Sequence, residues 1–527
     1  MVTSSGCSFV KHAEDGPLVS YHDYIIIGGG TAGCPLAATP SHDSDVLVLE
    51  RGGSPYGNSN ISNLASFIRN LADVSRPTWP TQHFVSEDGV INARARVLGG
   101  GTCINAGFYS RASGQEVREM GLDAELAEES YRLVEDVVAF EPQLSEWTSA
   151  LKDGLLETGV TPYNGFTYEH SIGTKAGGTP FDHYGHRHTA ADLLEHADPN
   201  SLTVLLRATV QRILFRKRGR QTPQAYGVLY SDEMGGMHEA YVKDGSAGEI
   251  ILSAGALGSP QLLMLSGVGP SEHLRSFGIE VVLEQPMIGR GMSDNPMNII
   301  TVPSQQPVEI SSIQVAGITH SGNYIESFTG FNLAASLVHD TSGGGTETSD
   351  QNPQLSPPPS KEGKQDVFSF QVGIILEKLA RPLSRGFLQL KNRNPDDNPS
   401  ATFNYFTEPA DVEACVEGLE TMKRALETKG LSKFRYPNQS LEDLLALSAS
   451  SIPNHRPRHE NDPTSSEQYC KDVVLTIHHY HGGCLVGQVV DHDYKVLGLD
   501  SLRVIDSSTF NFSPGTNPQE TVMMLGR

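Results

Sequence analysis

Three histidines in four positions, His478, His479 and His481, stand in the run His478-His479-Tyr480-His481-Gly482-Gly483-Cys484. Two chemistries suit such a cluster: metal ligation, or proton transfer by a neutral imidazole beside a substrate hydroxyl. His-x-His spacing with no Asp, Glu or further His close by makes a poor zinc site, so the base is favoured. The bland reading is weighed beside it: most histidines are solvated or satisfy core hydrogen bonds, and the chain has 19. Near the C-terminus lies Gly515-Thr516-Asn517-Pro518-Gln519-Glu520-Thr521, leading into Val522-Met523-Met524-Leu525. Pro518 suits a helix start, whose N–H groups and dipole could stabilise an anionic ring.

Three glycine clusters point to a large flat ligand. Gly28-x-Gly30-x-x-Gly33 follows the apolar run Tyr24-Ile25-Ile26-Ile27, and Glu50 ends the next one, Val46-Leu47-Val48-Leu49. Strand, glycine turn, small-residue helix, strand and terminal acid form a βαβ dinucleotide unit: the turn lets a pyrophosphate reach the helix N-terminus, and the acid binds ribose hydroxyls. A glycine turn alone would be a weak signal. Pro40 cuts against a long helix, which it should stop or kink. The second cluster, Ala95-Arg96-Val97-Leu98-Gly99-Gly100-Gly101-Thr102-Cys103-Ile104-Asn105-Ala106-Gly107-Phe108-Tyr109, reads as a bulge or as backbone lying against a planar ligand. In the third, Gly255 to Gly269, Ser259-Pro260 is expected to open a short apolar helix that Gly267 closes.

The elements that must position these clusters are scattered. Glu249-Ile250-Ile251-Leu252-Ser253 and Leu502-Arg503-Val504-Ile505 share the texture of the first strands and read as distant pieces of one parallel sheet. The fold class expected is α/β: a discontinuous Rossmann-like nucleotide domain at 20–110, 190–296 and 470–527, with a second domain at 111–189 and 297–469. Ala124 to Glu141 and Ala410 to Leu431 look like amphipathic surface helices. Phe387 to Leu390 and Thr402 to Tyr405 alternate like antiparallel strands. The low-complexity stretch 341–364 reads as a flexible loop.

Composition narrows the function. The 527 residues allow two or more cores, and 38% hydrophobic with 19% charged residues excludes a disordered chain. A net charge of −23 opposes phosphate backbones, so nucleic acid is not an expected partner. No apolar run reaches the ~18 residues of a membrane span. Six cysteines without a CxxC pair exclude a disulfide scaffold or a zinc ribbon. Met1 to Cys7 carries neither a basic nor an apolar signal region, which leaves the cytosol and a mature secreted form both open.

Taken in order, the first GxGxxG, the Arg96 to Asn105 block, the Gly255 to Gly269 block and the His479…Asn517 pair resemble the glucose–methanol–choline oxidoreductase family. The resemblance runs from about Tyr21 to Arg527. Val19 to Tyr24, Arg94 to Leu98 and His479 to Cys484 resemble its plant branch of HOTHEAD-like proteins and (R)-mandelonitrile lyases. It implies FAD, covalent or not, and a substrate domain with a large antiparallel sheet. It places Gly28, Gly30, Thr31, Ala32 and Gly33 at the pyrophosphate, Glu50 and Arg51 at the adenosine, and the Val210 backbone at the adenine. Val97, Gly101, Asn105, Ala106, Gly107 and Phe108 would line the flavin; Asp506, Pro518 and Gln519 would close its other face, with His478 and Ser507 also at the cofactor. Cys415 and Cys470 match a disulfide of that branch, which is generally secreted and here expected as a monomer.

The resemblance also frames the reaction. In an oxidoreductase, His479 takes the proton of a small alcohol as its hydride passes to flavin N5, and Asn517 steadies the alkoxide. The mandelonitrile lyases place a Tyr two residues before His479, a His at the Asn517 position, and a Cys from the substrate domain. Here Ile477 and Asn517 stand instead, and no Cys occurs between Cys103 and Cys415. Oxidation is therefore preferred, with lyase chemistry on a structural FAD as the alternative. A third possibility is a flavin fold without catalysis: His478 replaces a Trp, Ser507 a Gly, and the last helix is only about two turns long. The substrate suggested by HOTHEAD-like relatives is an ω-hydroxy fatty acid. Asn60-Ile61-Ser62 and Asn438-Gln439-Ser440 are glycosylation sequons for a secreted chain. Asn511-Phe512-Ser513 is expected to be buried against FAD.

Overall fold

In the computed structural model, residues 8–62, 64, 80–217, 222–332, 371–452, 454–457 and 465–527 are described. The expected loop at 341–364 lies outside them.

Tyr24–Ile27, Val46–Glu50 and Ile250–Leu252 are almost wholly buried, as unbroken apolar runs must be when both sheet faces are covered. They form one six-stranded sheet in the order Val10–His12, Leu202–Leu206, Val46–Glu50, Tyr24–Ile27, Ile250–Leu252, Leu502–Val504. All five neighbouring pairs are parallel. Strands from both ends of the chain thus meet side by side, and their carboxyl ends deliver Gly28, Glu50, Ser253 and Asp506 to one edge. In open α/β sheets that edge is where ligands bind.

The second large sheet has seven strands: Leu475–Thr476, Pro296–Ser304, Gln371–Leu379, Asn323–Asn332, Val315–Ile318, Gly173–Ala176 and Tyr163–Phe166. All neighbours are antiparallel except the last pair. Helices Glu146–Glu157 and Pro409–Glu427 cover one face, where Trp147, Leu151, Leu419 and Met422 pack on Ile300, Ile325 and Ile375. The strand Leu475–Thr476 runs directly into the histidine cluster. Gly386–Gln389 pairs antiparallel with Ser400–Thr402; of the strand expected at Thr402 to Tyr405 only Thr402 belongs to it, because Asn404, at φ +58°, turns the chain out of the extended region.

One helix differs from expectation. The helix of the third glycine cluster spans Gly255–Leu265 and carries Pro260 inside it. It starts four residues before Ser259 because Ser259 Oγ and Gly255 N both donate to Asp506, which anchors the first turn from outside. The first helix, Gly33–Ala38, stops where Pro40 dictates and passes into a 3-10 turn at Pro40–His42. The last helix, Gln519–Gly526, is short but buries Val522, Met523 and Met524. Packing supplies what two turns alone lack.

Cys415 and Cys470 form a disulfide with Cα atoms 6.3 Å apart, joining the helices Pro409–Glu427 and Ser466–Asp472. Closing a loop of 55 positions restricts the unfolded chain by about 4 kcal/mol in the chain-entropy account. The variant Cys415→Ala/Cys470→Ala is expected to melt several degrees lower in differential scanning calorimetry. Asn511 departs from expectation: it is exposed, its amide donating to the Val486 carbonyl at 3.2 Å. Asn438 is exposed and Asn60 half-buried. No helix among the described residues is long and apolar enough to cross a membrane.

Candidate active site

The first glycine turn is held by contacts that no side chain would survive. Gly28 has φ +100°, and a Cβ there would lie 2.5 Å from the Ser253 carbonyl. At Gly33 a Cβ would lie 1.9 Å from the Gly28 carbonyl oxygen. Gly33 therefore seats the helix against the turn and is not among the cavity-lining residues, unlike every other residue of the expected site. Glu50 is buried at the strand end, its carboxylate accepting Gly29 N–H at 2.9 Å and Gly52 N–H at 2.6 Å. Burial raises its pKa; those N–H groups and Arg51 oppose the rise. Lone pairs remain for ribose hydroxyls.

The second block is braced by Arg187, which sequence reasoning missed. Its guanidinium donates to the Asn105 side chain at 2.7 Å, to the Asn105 carbonyl at 2.9 Å and to the Thr102 carbonyl at 3.1 Å. Asn105 Oδ1 also accepts Gly107 N–H at 3.0 Å, and Gln519 donates to the Phe108 carbonyl at 2.9 Å. The second glycine cluster and the C-terminal run from Gly515 to Thr521 are thereby locked together. Asp506 ties the third glycine cluster to the segment that follows the strand Leu502–Val504, with its other oxygen accepting Ser508 N–H at 2.8 Å.

Between these blocks lies a cavity of about 870 Å³. Gly28, Gly30, Thr31, Ala32, Glu50, Arg51 and Val210 line one end, and Val97, Gly101 and Asn105 to Phe108 line the flank. His478, His479, Asp506, Ser507, Asn517, Pro518 and Gln519 line the rest. The fit to FAD can be judged from the walls. At Gly30, Gly101 and Gly255 an added Cβ would meet no protein atom nearer than 3.8 Å. The room beside these glycines is cavity, as backbone pressed against a flat ligand requires. Arg51 Nη1 and Arg94 Nη2 are buried without a partner among the described residues, and both arginines line the cavity. Burial pulls Arg51 down to about 10, and Arg94 well below the usual range. Unpaired buried cations suit a diphosphate dianion. The walls fit FAD. Arg94 opens a run that resembles the plant branch, but only its strand's place at the cavity marks it as a lining residue. Ser507 lies outside the backbone region that favours glycine, so its Cβ is accommodated.

At the other end, His479 is pinned through its backbone. Its N–H donates to Asp294 at 2.8 Å, and its carbonyl is 3.0 Å from His481 Nδ1. Asp294 also accepts the Tyr405 hydroxyl at 2.6 Å, and desolvation lifts its pKa to about 6. The His479 ring is left free: Nδ1 is buried with no partner among the described residues. Burial first, then the nearby Lys378 cation, hold its pKa well below 6.5. His478, at φ +63°, turns the chain, its N–H donating to Thr476 at 2.8 Å. Asn517 Oδ1 accepts from Lys378 Nζ, which leaves the amide N–H₂ to serve as donor. No metal-holding group of His, Cys, Asp or Glu occurs among the described residues.

A parallel nucleotide sheet joined to an antiparallel one, with a neutral histidine at the shared cavity, defines a flavin-dependent oxidoreductase architecture. The comparisons make the class particular. The GMC oxidoreductase N-terminal profile matches residues 22–297 and the C-terminal profile residues 382–526. The Protein HOTHEAD of Arabidopsis thaliana is 50% identical, covering 100% of this chain and 89% of its own length. An (R)-mandelonitrile lyase-like protein of the same plant is 44% identical over 98% of this chain and 91% of its own. The crystal structure of pyridoxine 4-oxidase from Mesorbium loti superposes with TM-score 0.74 at 21% identity, covering 96% of this chain and 97% of that one. The chain belongs to the GMC oxidoreductase family and is an FAD-dependent oxidoreductase.

Proposed function

We propose that the protein oxidises an apolar primary alcohol to the aldehyde. One observation carries the reading: an uncharged, unpartnered His479 and the donor face of Asn517 open onto one cavity. FAD, when bound, supplies the hydride acceptor. His479 takes the hydroxyl proton on its imidazole, while the Asn517 amide N–H donates to the oxygen as it becomes negative. Asp294 and His481 hold the His479 backbone, so the ring reaches the hydroxyl without reorganisation. Met297, Ile313, Phe328, Leu376, Leu475 and Ile477 line the same cavity and exclude water. These walls suit an ω-hydroxy fatty acid or an aromatic alcohol better than a sugar, and the similarity to the HOTHEAD protein supports the former. The Cys415–Cys470 disulfide and the exposed sequon at Asn438 support secretion.

The test is the visible spectrum of the purified protein under anaerobic conditions. Bleaching of the flavin band by an ω-hydroxy fatty acid or an aromatic alcohol is expected. A bound flavin that no alcohol reduces, with cyanide released from mandelonitrile, would replace oxidation with lyase chemistry. Against that outcome stand Ile477 at the cavity and the absence of any cysteine among its described lining residues. Because His479 titrates well below 6.5, the rate of bleaching is expected to stay level as pH falls through 6.5, where an ordinary imidazole would be half protonated. Anaerobic stopped-flow across that range checks it.

A further inference from the structure

Behind Asn517 lie charges that the proposed reaction does not use. Lys378 is wholly buried on the strand Gln371–Leu379, and Glu326 is wholly buried on the neighbouring strand Asn323–Asn332. Lys378 Nζ donates to Glu326 Oε1 at 3.1 Å and to Asn517 Oδ1. It also sits 4.6 Å from the centre of the Tyr324 ring. We propose that Lys378 is a positioning residue of this active site: held by Glu326, it fixes Asn517 with its N–H₂ toward the cavity and keeps positive charge behind the oxygen that becomes anionic.

The fold alone gives little reason for such a pair. Buried charges are costly to desolvate, and apolar residues of similar volume usually serve a core as well or better. Strand alternation puts Lys378 on the same face as Leu376, a cavity residue, while Ile375 packs in the core under the helices. The other charges facing this point are Glu520, on the last helix, and Lys175, on the strand Gly173–Ala176. Glu520 accepts on Oε1 from Ser110 N–H and Gln519, its Oε2 having no partner among the described residues, and Lys175 donates to Ser110 Oγ and the Glu169 carbonyl. Neither reaches Asn517. Among the described residues, Lys378 alone joins the ionic core to the amide. Burial lowers its pKa and Glu326 opposes that, while Lys378 in turn disfavours the imidazolium of His479.

The proposal rests on alcohol oxidation at this site, and its test separates the two. In the flavin-loaded enzyme, Lys378→Met combined with Glu326→Gln removes the charge without stranding a carboxylate. Expected are an unchanged KM, a kcat lower by about tenfold to a hundredfold, and an acid limb moved to higher pH, since losing the cation eases protonation of His479. Adding Asn517→Ala should then cost less than it does alone, because the two groups act as a unit. Benzoate and benzamide titrations, followed by the flavin band, read the charge without turnover. Benzoate should weaken by about tenfold in the variant, and neutral benzamide should not. If the double variant holds no flavin, Lys378→Arg decides: charge kept but displaced, it should retain benzoate and lose kcat. Additive losses, an unmoved acid limb, or benzoate binding that is absent or indifferent to Lys378 would overturn the proposal. A wild-type enzyme that no alcohol reduces would sink the oxidation reading, while the benzoate comparison would still judge Lys378.

Discussion

Replacing His479 by glutamine is expected to leave the protein folded and flavin-loaded, and to slow its bleaching by alcohol ~10²–10⁴-fold. Glutamine approaches the imidazole in size and can hydrogen-bond, but it cannot take a proton near neutral pH. The backbone bonds to Asp294 and His481 do not depend on the side chain, so the loop should stay in place. The loss should fall on the reduction rate and not on alcohol binding, since proton removal belongs to the transition state. Part of it should return at high pH, where hydroxide lowers the need for a base. Single-turnover reduction under anaerobic conditions measures both terms. A variant that bleaches at the wild-type rate would remove His479 from the chemistry and point to His478, which lines the same cavity.

Gly33→Ala is expected to yield a colourless protein. The added methyl would sit 1.9 Å from the Gly28 carbonyl oxygen, well inside van der Waals contact, and the atom it meets is backbone. Either the helix Gly33–Ala38 must lift or the turn must move. Both displace the N–H groups and the cavity wall that the pyrophosphate needs. The last helix adds to the cost: Gly526 is packed so closely on the same turn that a Cβ there would lie 2.3 Å from the Ala32 carbonyl. The control is Gly114→Ala, where the nearest atom to an added methyl is the end of the Arg118 side chain at 3.6 Å. The ratio of flavin to protein absorbance after desalting checks both. Full flavin occupancy in Gly33→Ala would mean that the turn is softer than its contacts indicate.

What could be read along the chain was local. A run of buried β-branched residues, a glycine turn and a terminal acid lie within thirty positions, so periodicity and turn chemistry specify them without the rest of the molecule. The parallel strands at 250–252 and 502–504 were legible for the same reason, and Pro40 ended its helix as a missing N–H requires. The start of the Gly255–Leu265 helix was not, because its anchor is Asp506, 251 positions away. Nor was the exposure of Asn511, which depends on how its loop lies over the neighbouring one.

The sequence by itself determined the nucleotide-binding unit and the glycine-lined walls, since each is written in contiguous residues whose physics is short-ranged; the His479–Asn517 pair, drawn from two separate runs, came from the family resemblance. Only the tertiary structure decided which polar residues hold that pair. Lys378 and Asp294 read in sequence as ordinary solvated side chains, the default for isolated charges. Long-range strand pairing and the docking of the last helix put Lys378 against Asn517 across 139 positions, and Asp294 against His479 across 185. A charge so placed has lost its water, and its remaining partners define what it does.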